Sequence, residues 1–212
     1  QYVFHVQWNR LHDYARRKGI EVLGDMPIFV AQDSADAWAH QHLFDLNEDG
    51  TPRTVAGVPP DYFAASGQLW GNPLYDWDEH KKQGYAWWIH RIEESFKIYD
   101  VLRIDHFKGF SDYWQVDGKA DIAKYGSWQP GPGYDLFKAV KEQLGDLPII
   151  AEDLGNIDDK ARKLLADCNY PGMKILQFGF EDVSGKSLDS PHYCIPHSIV
   201  YTGTHDNDVT NG

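Results

Sequence analysis

Cysteine is nearly absent: the 212-residue chain holds only Cys168 and Cys194. Two thiols cannot form a disulfide framework and show no metal spacing, so both are expected as inert packing in a reducing compartment. No apolar run approaches the ~18 residues that a membrane-spanning helix needs, and no stretch has a signal-peptide pattern. Positive charge is short too, with 20 Lys and Arg against 32 Asp and Glu and a formal net charge of -12. That balance argues against nucleic acid and against an anionic membrane as partners, while leaving neutral ligands such as sugars open. No Gly-x-Ser-x-Gly elbow is present, and no His-x-His or His-Glu-x-x-His spacing. A hydrolytic metal site could draw only on Asp25, Asp105, His106, His205 and Asp206, without the spacing that marks one. Neither a metal nor a cofactor is therefore expected.

What is present is a chain that is 42% hydrophobic and 14% aromatic, which suits a well-cored globule rather than a disordered chain. Four short apolar runs each end in a carboxylate. They are Ile20-Glu21-Val22-Leu23-Gly24-Asp25, Val101-Leu102-Arg103-Ile104-Asp105, Pro148-Ile149-Ile150-Ala151-Glu152 and Ile199-Val200-Tyr201-Thr202-Gly203-Thr204-His205-Asp206. Short runs rich in Val and Ile are what fully buried parallel strands look like. Any one of these acids could simply cap the following helix. Four together place carboxylates along one rim of a sheet, the rim where (β/α)-barrels carry their chemistry.

Between the runs, a helix is predicted over residues 4–18, stopped at Gly19, and another where Tyr85, Trp88, Ile89, Ile92, Phe96 and Tyr99 recur at helical spacing. Leu136, Phe137, Val140 and Leu144 mark a third, stopped at Gly145, and Asn156 is a candidate N-cap for a fourth ending near Asp167. Met173–Phe178 reads as a further strand, and Ser198–Thr202 as the last. The stretch from about 26 to 78 is dense in Gly, Pro, Asp and aromatic residues and is predicted mostly irregular, as is the segment after Asp105. Strands alternating with helices give an α/β fold with a parallel sheet. We read one unit over residues 1–212: a partial arc, about five strands, of a (β/α)8 TIM barrel, with a functional loop at about 53–77. A doubly wound sheet is the rival, but Met26-Pro27-Ile28 stands where its phosphate-loop glycines would be.

Arg103 and Asp105 lie two apart on a strand and share a face, so the guanidinium would hold the carboxylate ionised, as a nucleophile needs. A purely structural ion pair is the alternative. Glu152 follows Ile149, Ile150 and Ala151, an apolar setting that would raise its pKa and keep a proton available. One ionised and one protonated carboxyl flanking a bond is the equipment of a retaining glycosidase. His205-Asp206 offers a donor and a third carboxylate for sugar hydroxyls.

The motifs resemble a known family. Val101-Leu102-Arg103-Ile104-Asp105-His106-Phe107, Ala151-Glu152-Asp153-Leu154-Gly155 and Thr202-Gly203-Thr204-His205-Asp206-Asn207 look like the active-site strands of the 4-α-glucanotransferases (amylomaltase or disproportionating enzyme, glycoside hydrolase family 77, α-amylase clan). Gly57-Val58-Pro59-Pro60-Asp61-Tyr62-Phe63, continuing to Trp70-Gly71-Asn72-Pro73, resembles the family's active-site loop, and Gly24-Asp25-Met26-Pro27 its third barrel strand. The resemblance implies Asp105 as nucleophile, Glu152 as general acid/base and Asp206 as transition-state stabiliser. It implies that Arg103 and His205 assist at the donor sugar with Asp25 at the same subsite. Tyr62 and Phe63 would stack on the glucan, with Trp70 and Asn72 beside them.

The implied activity is transfer of α-1,4-glucan segments between maltooligosaccharides by double displacement. The alternatives are an α-amylase-type retaining hydrolase, or an inactive structural or glucan-binding fragment. The expected partners are α-1,4-glucans and maltooligosaccharides, and the expected location is the bacterial cytoplasm, with a plastid second. The family's first two strands and its eighth have no counterpart here, so the chain is expected to be a segment of a longer protein whose open barrel edges permit self-association.

Overall fold

The short apolar runs do form parallel strands. The computed structural model describes residues 1–61, 64–155, 157–181, 185–205, 207 and 209. In chain order the elements are α1 (Tyr2–Arg17), β1 (Leu23–Pro27), α2 (Ala35–Ala39), β2 (Thr54–Val58), β3 (Gln68–Pro73), α3 (Trp77–Lys82), α4 (Ala86–Phe96) and β4 (Val101–Asp105). They continue as β5 (Asp112–Asp117), β6 (Ser127–Pro130), α5 (Tyr134–Leu144), β7 (Ile149–Ala151), α6 (Asp159–Cys168), β8 (Gly172–Ile175), α7 (Leu176–Glu181) and β9 (Ser198–Tyr201).

Strands β1, β4 and β7 pair in parallel in that order, and β8 pairs in parallel with β9. The Ala151 N–H donates to the Pro171 carbonyl at 3.0 Å, which sets β8 beside β7. The result is an α/β fold with an arc of parallel strands in sequence order. Helix α4 precedes β4, α5 precedes β7 and α6 precedes β8, as in a run of βαβ units. Trp88 and Ile92 of α4, and Leu136, Phe137 and Val140 of α5, are buried with Leu102, Ile104 and Ile149 of the sheet in one apolar cluster. Asp100 ties α1 to this layer: its carboxylate accepts from Val22 N at 2.9 Å, His12 Nε2 at 2.7 Å and Arg16 Nε at 2.8 Å. Those bonds hold its pKa well below the ordinary carboxylate value, the Val22 N–H first. Cys168 packs against the main cluster and burial raises its thiol to about 12, as inert packing requires.

Several boundaries differ from the sequence expectation. Residues 26–78 are mostly irregular as expected, but the segment after Asp105 is not: its β5 and β6 join β2 and β3 in an antiparallel sheet in the order β3-β2-β5-β6. Its pairs, such as Thr54 with Asp117, join distant segments, so the cross-strand partners rather than local pattern create it. The strand expected over Met173–Phe178 ends at Ile175, and Leu176 opens α7, whose Phe178 still packs on Ile150, Met173 and Ile175. Asp158 rather than Asn156 caps α6, accepting from Ala161 N at 2.9 Å; Asn156 lies outside the described residues. Gly19 and Gly145 stand at positive φ (+70° and +79°) at the ends of α1 and α5, as expected of helix stops.

His80 of α3 is 1% exposed, with the rings of Tyr75, Trp77 and Trp87 at 5.3, 5.3 and 5.8 Å. Neither of its ring nitrogens has a hydrogen-bond partner among the described residues. Burial lowers its pKa from 6.5 to about 4. The unfolded chain takes up this proton first, so the stability is complete above about pH 6.5 and is lost as the pH falls toward 4. Half-buried His106, also lowered to about 4 by desolvation, acts in the same sense. Between pH 7 and 5 each should cost about 2 kcal/mol. A His80→Phe chain is expected to lose roughly half the wild-type drop in denaturation midpoint across that range. An unchanged drop would contradict this assignment.

Candidate active site

The site begins with register. Strands β1 and β4 align Asp25 with Arg103 and Pro27 with Asp105. Strand β1 runs on through Met26 and Pro27, so Asp25 lies inside its strand rather than at the end expected for it, and Arg103 links it to Asp105 at the end of β4. Arg103 is 8% exposed. Its Nη1 reaches both oxygens of Asp25 at 2.7 Å, and its Nη2 lies 2.7 Å from Asp105 Oδ1. The two carboxylates stay about half exposed, 49% and 43%, while the arginine between them is covered. The expected Arg103–Asp105 pair is therefore present, and it has a second acid that local spacing could not reveal.

Glu152 follows β7 directly. Its N–H donates to the Ile104 carbonyl at 3.0 Å, setting it beside Asp105. Its Oε2 accepts from His106 N at 2.8 Å and its Oε1 from Leu154 N at 2.7 Å. Those bonds favour the ionised form, yet burial outweighs them and, with the charge of Asp105, raises the pKa. That is the direction expected of a carboxyl behind Ile149, Ile150 and Ala151. The nearby Asp105 charge is a second cause that the run of apolar residues did not suggest.

Beside Asp105 a cavity of about 190 Å³ is lined by Pro27, Ile28, Phe29, Trp70, Asn72, Asp105 and His106. Trp70 meets the His106 ring edge-on at 4.8 Å, and Asn72 Nδ2 donates to the Val30 carbonyl at 3.0 Å. Asn72 thus holds the loop after β1 as well as facing the cavity. Arg91 and Tyr75 brace the same loop: Arg91 donates to the Pro27 and Ile28 carbonyls at 2.7 and 3.2 Å, and the Tyr75 hydroxyl to the Ile28 carbonyl at 2.7 Å. Burial keeps His106 neutral at pH 7, so it serves as a wall rather than a charge. His106 stands at φ +50° with its N–H held by Glu152; nothing in the sequence signals a left-handed histidine there.

Asp25, Trp70, Asn72, Arg103, Asp105 and Glu152 are thus brought to one rim. His205 lies exposed in the turn after β9, where Thr204 N and Oγ1 donate to Asn207 Oδ1 at 2.8 and 3.0 Å. Tyr62, Phe63 and Asp206 lie outside the described residues. Arg103 already places a cation between Asp25 and Asp105, the position a metal held by these acids would take. Among the described residues, His90, Glu93 and Glu94 also come within a metal's reach of one another, all exposed on α4. Beyond the rim, Lys108 bridges Asp112 at 2.5 Å and the α6 cap Asp158 at 2.8 Å, and sits 4.6 Å over the Trp128 ring. It fastens the turn that carries His106.

Comparisons with known proteins agree in kind. The family model described as 4-alpha-glucanotransferase (glycoside hydrolase family 77) matches residues 1–212. A 4-alpha-glucanotransferase of Streptococcus pneumoniae is 54% identical over 212 residues, which are all of this chain and 42% of the relative. One from Clostridium butyricum is 48% identical over 214 residues, covering 100% of this chain and 44% of the relative. Among solved structures, an amylomaltase from Streptococcus agalactiae in complex with acarbose superposes with a TM-score of 0.95 at 56% identity, over 98% of this chain and 42% of that one. The chain spans less than half the length of these relatives.

Proposed function

We propose a function from one premise: the chain belongs to the 4-alpha-glucanotransferase family. It carries the acid-bearing arc of a (β/α)8 barrel that transfers α-1,4-glucan segments between maltooligosaccharides. The observation that carries this reading is the pairing of a bidentate Arg103–Asp25 clamp and the Arg103–Asp105 bridge with a neighbouring Glu152 of raised pKa. Asp105 is the nucleophile and Glu152 the general acid that protonates the glycosidic oxygen, giving a covalent glycosyl-enzyme. A second glucan's 4-hydroxyl then displaces Asp105, with Glu152 taking the proton. Asp206 stabilises the transition state, and Asp25, Arg103 and His205 hold the donor sugar. The segment at about 53–77 is the active-site loop: Tyr62 and Phe63 stack on the glucan, with Trp70 and Asn72 beside them, and acceptor binding there displaces water.

Exposed apolar surface supports closure of the barrel by further chain. Tyr2, Phe4, Leu11 and Tyr14 of α1 and Leu23 of β1 are all exposed, the last by 45%. Expressed at these bounds alone, the chain would cover that surface and the outer edges of β1 and β9 by self-association.

The test is to incubate the full natural gene product with maltotriose. Glucose plus a ladder of longer maltooligosaccharides at constant reducing ends is the expected result. A matching rise in reducing ends would mean hydrolysis, and unchanged maltotriose would overturn the reading.

A further inference from the structure

The Arg103 fork has a third edge. While Nη1 and Nη2 hold the two acids, Nε donates to the Met173 Sδ at 3.3 Å. Met173 is 2% exposed and reaches across from β8, with β7 lying between it and β4. Its placement is built rather than incidental. The Met173 N–H donates to Asp153 Oδ1 at 2.7 Å, fixing the strand from the side. Gly172 makes room for that acid, since a Cβ there would stand 2.5 Å from Asp153 Oδ2.

We propose that Met173 is a positioning residue for the transfer reaction, an inference that rests on the function proposed above. A guanidinium is a rigid plane, so fixing its Nε edge fixes the direction of both Nη groups. The thioether is a weak acceptor, but it is the only one bonded to this Nε among the described residues. An aliphatic side chain of equal bulk would fill the space and leave the buried N–H without a partner. The guanidinium would then rotate toward water and carry Nη2 away from Asp105.

The experiment uses the full natural gene product with Met173→Leu and Met173→Gln. Leu keeps the volume and removes the acceptor; Gln restores an oxygen acceptor. Met173→Leu should lower kcat for maltotriose about tenfold with KM changed by less than about twofold, because the loss is in alignment rather than binding. Met173→Gln should recover most of that loss. In arginine-15N spectra the Arg103 Nε–H should exchange slowly in the wild type and in Met173→Gln, and fast in Met173→Leu. An unchanged kcat in Met173→Leu, a Gln variant no better than Leu although both melt like the wild type, or unaltered Nε–H exchange would each overturn the proposal. A wild type without transfer would sink the proposed function, while the exchange measurement would still decide the Met173 contact.

Discussion

Asp105→Asn in the full natural gene product should lower transfer from maltotriose by at least about 10,000-fold, with the fold intact. The amide is nearly the same size as the carboxylate, so packing is preserved and only the nucleophile is lost. Arg103 would keep its bidentate hold on Asp25, and the Asp25–Arg103 clamp anchors β1 to β4. The melting temperature should therefore change little. Residual activity near the wild-type level would mean that Asp105 is only half of a structural ion pair, the alternative that its spacing from Arg103 allows.

Glu152→Gln should cost about 1,000-fold on maltotriose, within the range expected for loss of a general acid. The leaving group decides the size of the effect. A sugar alkoxide needs a proton, whereas fluoride leaves without one. With an α-maltosyl fluoride donor the first step should therefore survive the substitution. The second step still lacks its base, so the glycosyl-enzyme should accumulate. The pH profile gives an independent check. Burial raises the Glu152 pKa, so the protonated form persists to higher pH than an ordinary carboxyl would allow, and activity falls as the pH rises through that value. Glu152→Gln should abolish that basic limb. A first step slowed as much with the fluoride donor, read as the burst of fluoride release, as with maltotriose would show that the carboxyl does not protonate the leaving group.

The parallel arc was most legible at β4 and β7, whose short runs are buried on both faces: Ile149-Ile150-Ala151, and Leu102-Arg103-Ile104 with Arg103 as its one polar member. The placement of Asp105 and Glu152 followed from strand ends alone. Pairing was a different matter. That Asp25 shares Arg103 depends on the β1–β4 register, which no local pattern encodes. The antiparallel sheet was hidden because β2 and β3 are interrupted by Gly57, Gly71 and Pro73 and become strands through distant partners. Met173-Lys174-Ile175 alternates like a strand, whereas Leu176-Gln177-Phe178 breaks that period and turns helical while Phe178 keeps an apolar contact. Asn156 was the expected cap of α6, but Asp158, two residues on and just as competent, is the one that accepts from the helix. The Met173–Arg103 contact is wholly tertiary, between side chains 70 positions apart.

The most direct test of the central claim is to locate the covalent intermediate. Full-length Glu152→Gln protein would be mixed with α-maltosyl fluoride, digested and mapped by mass spectrometry. The account predicts a maltosyl adduct on the peptide containing Asp105, with fragmentation placing it on that carboxylate. An adduct on Asp25, or no adduct while donor is consumed, would contradict it.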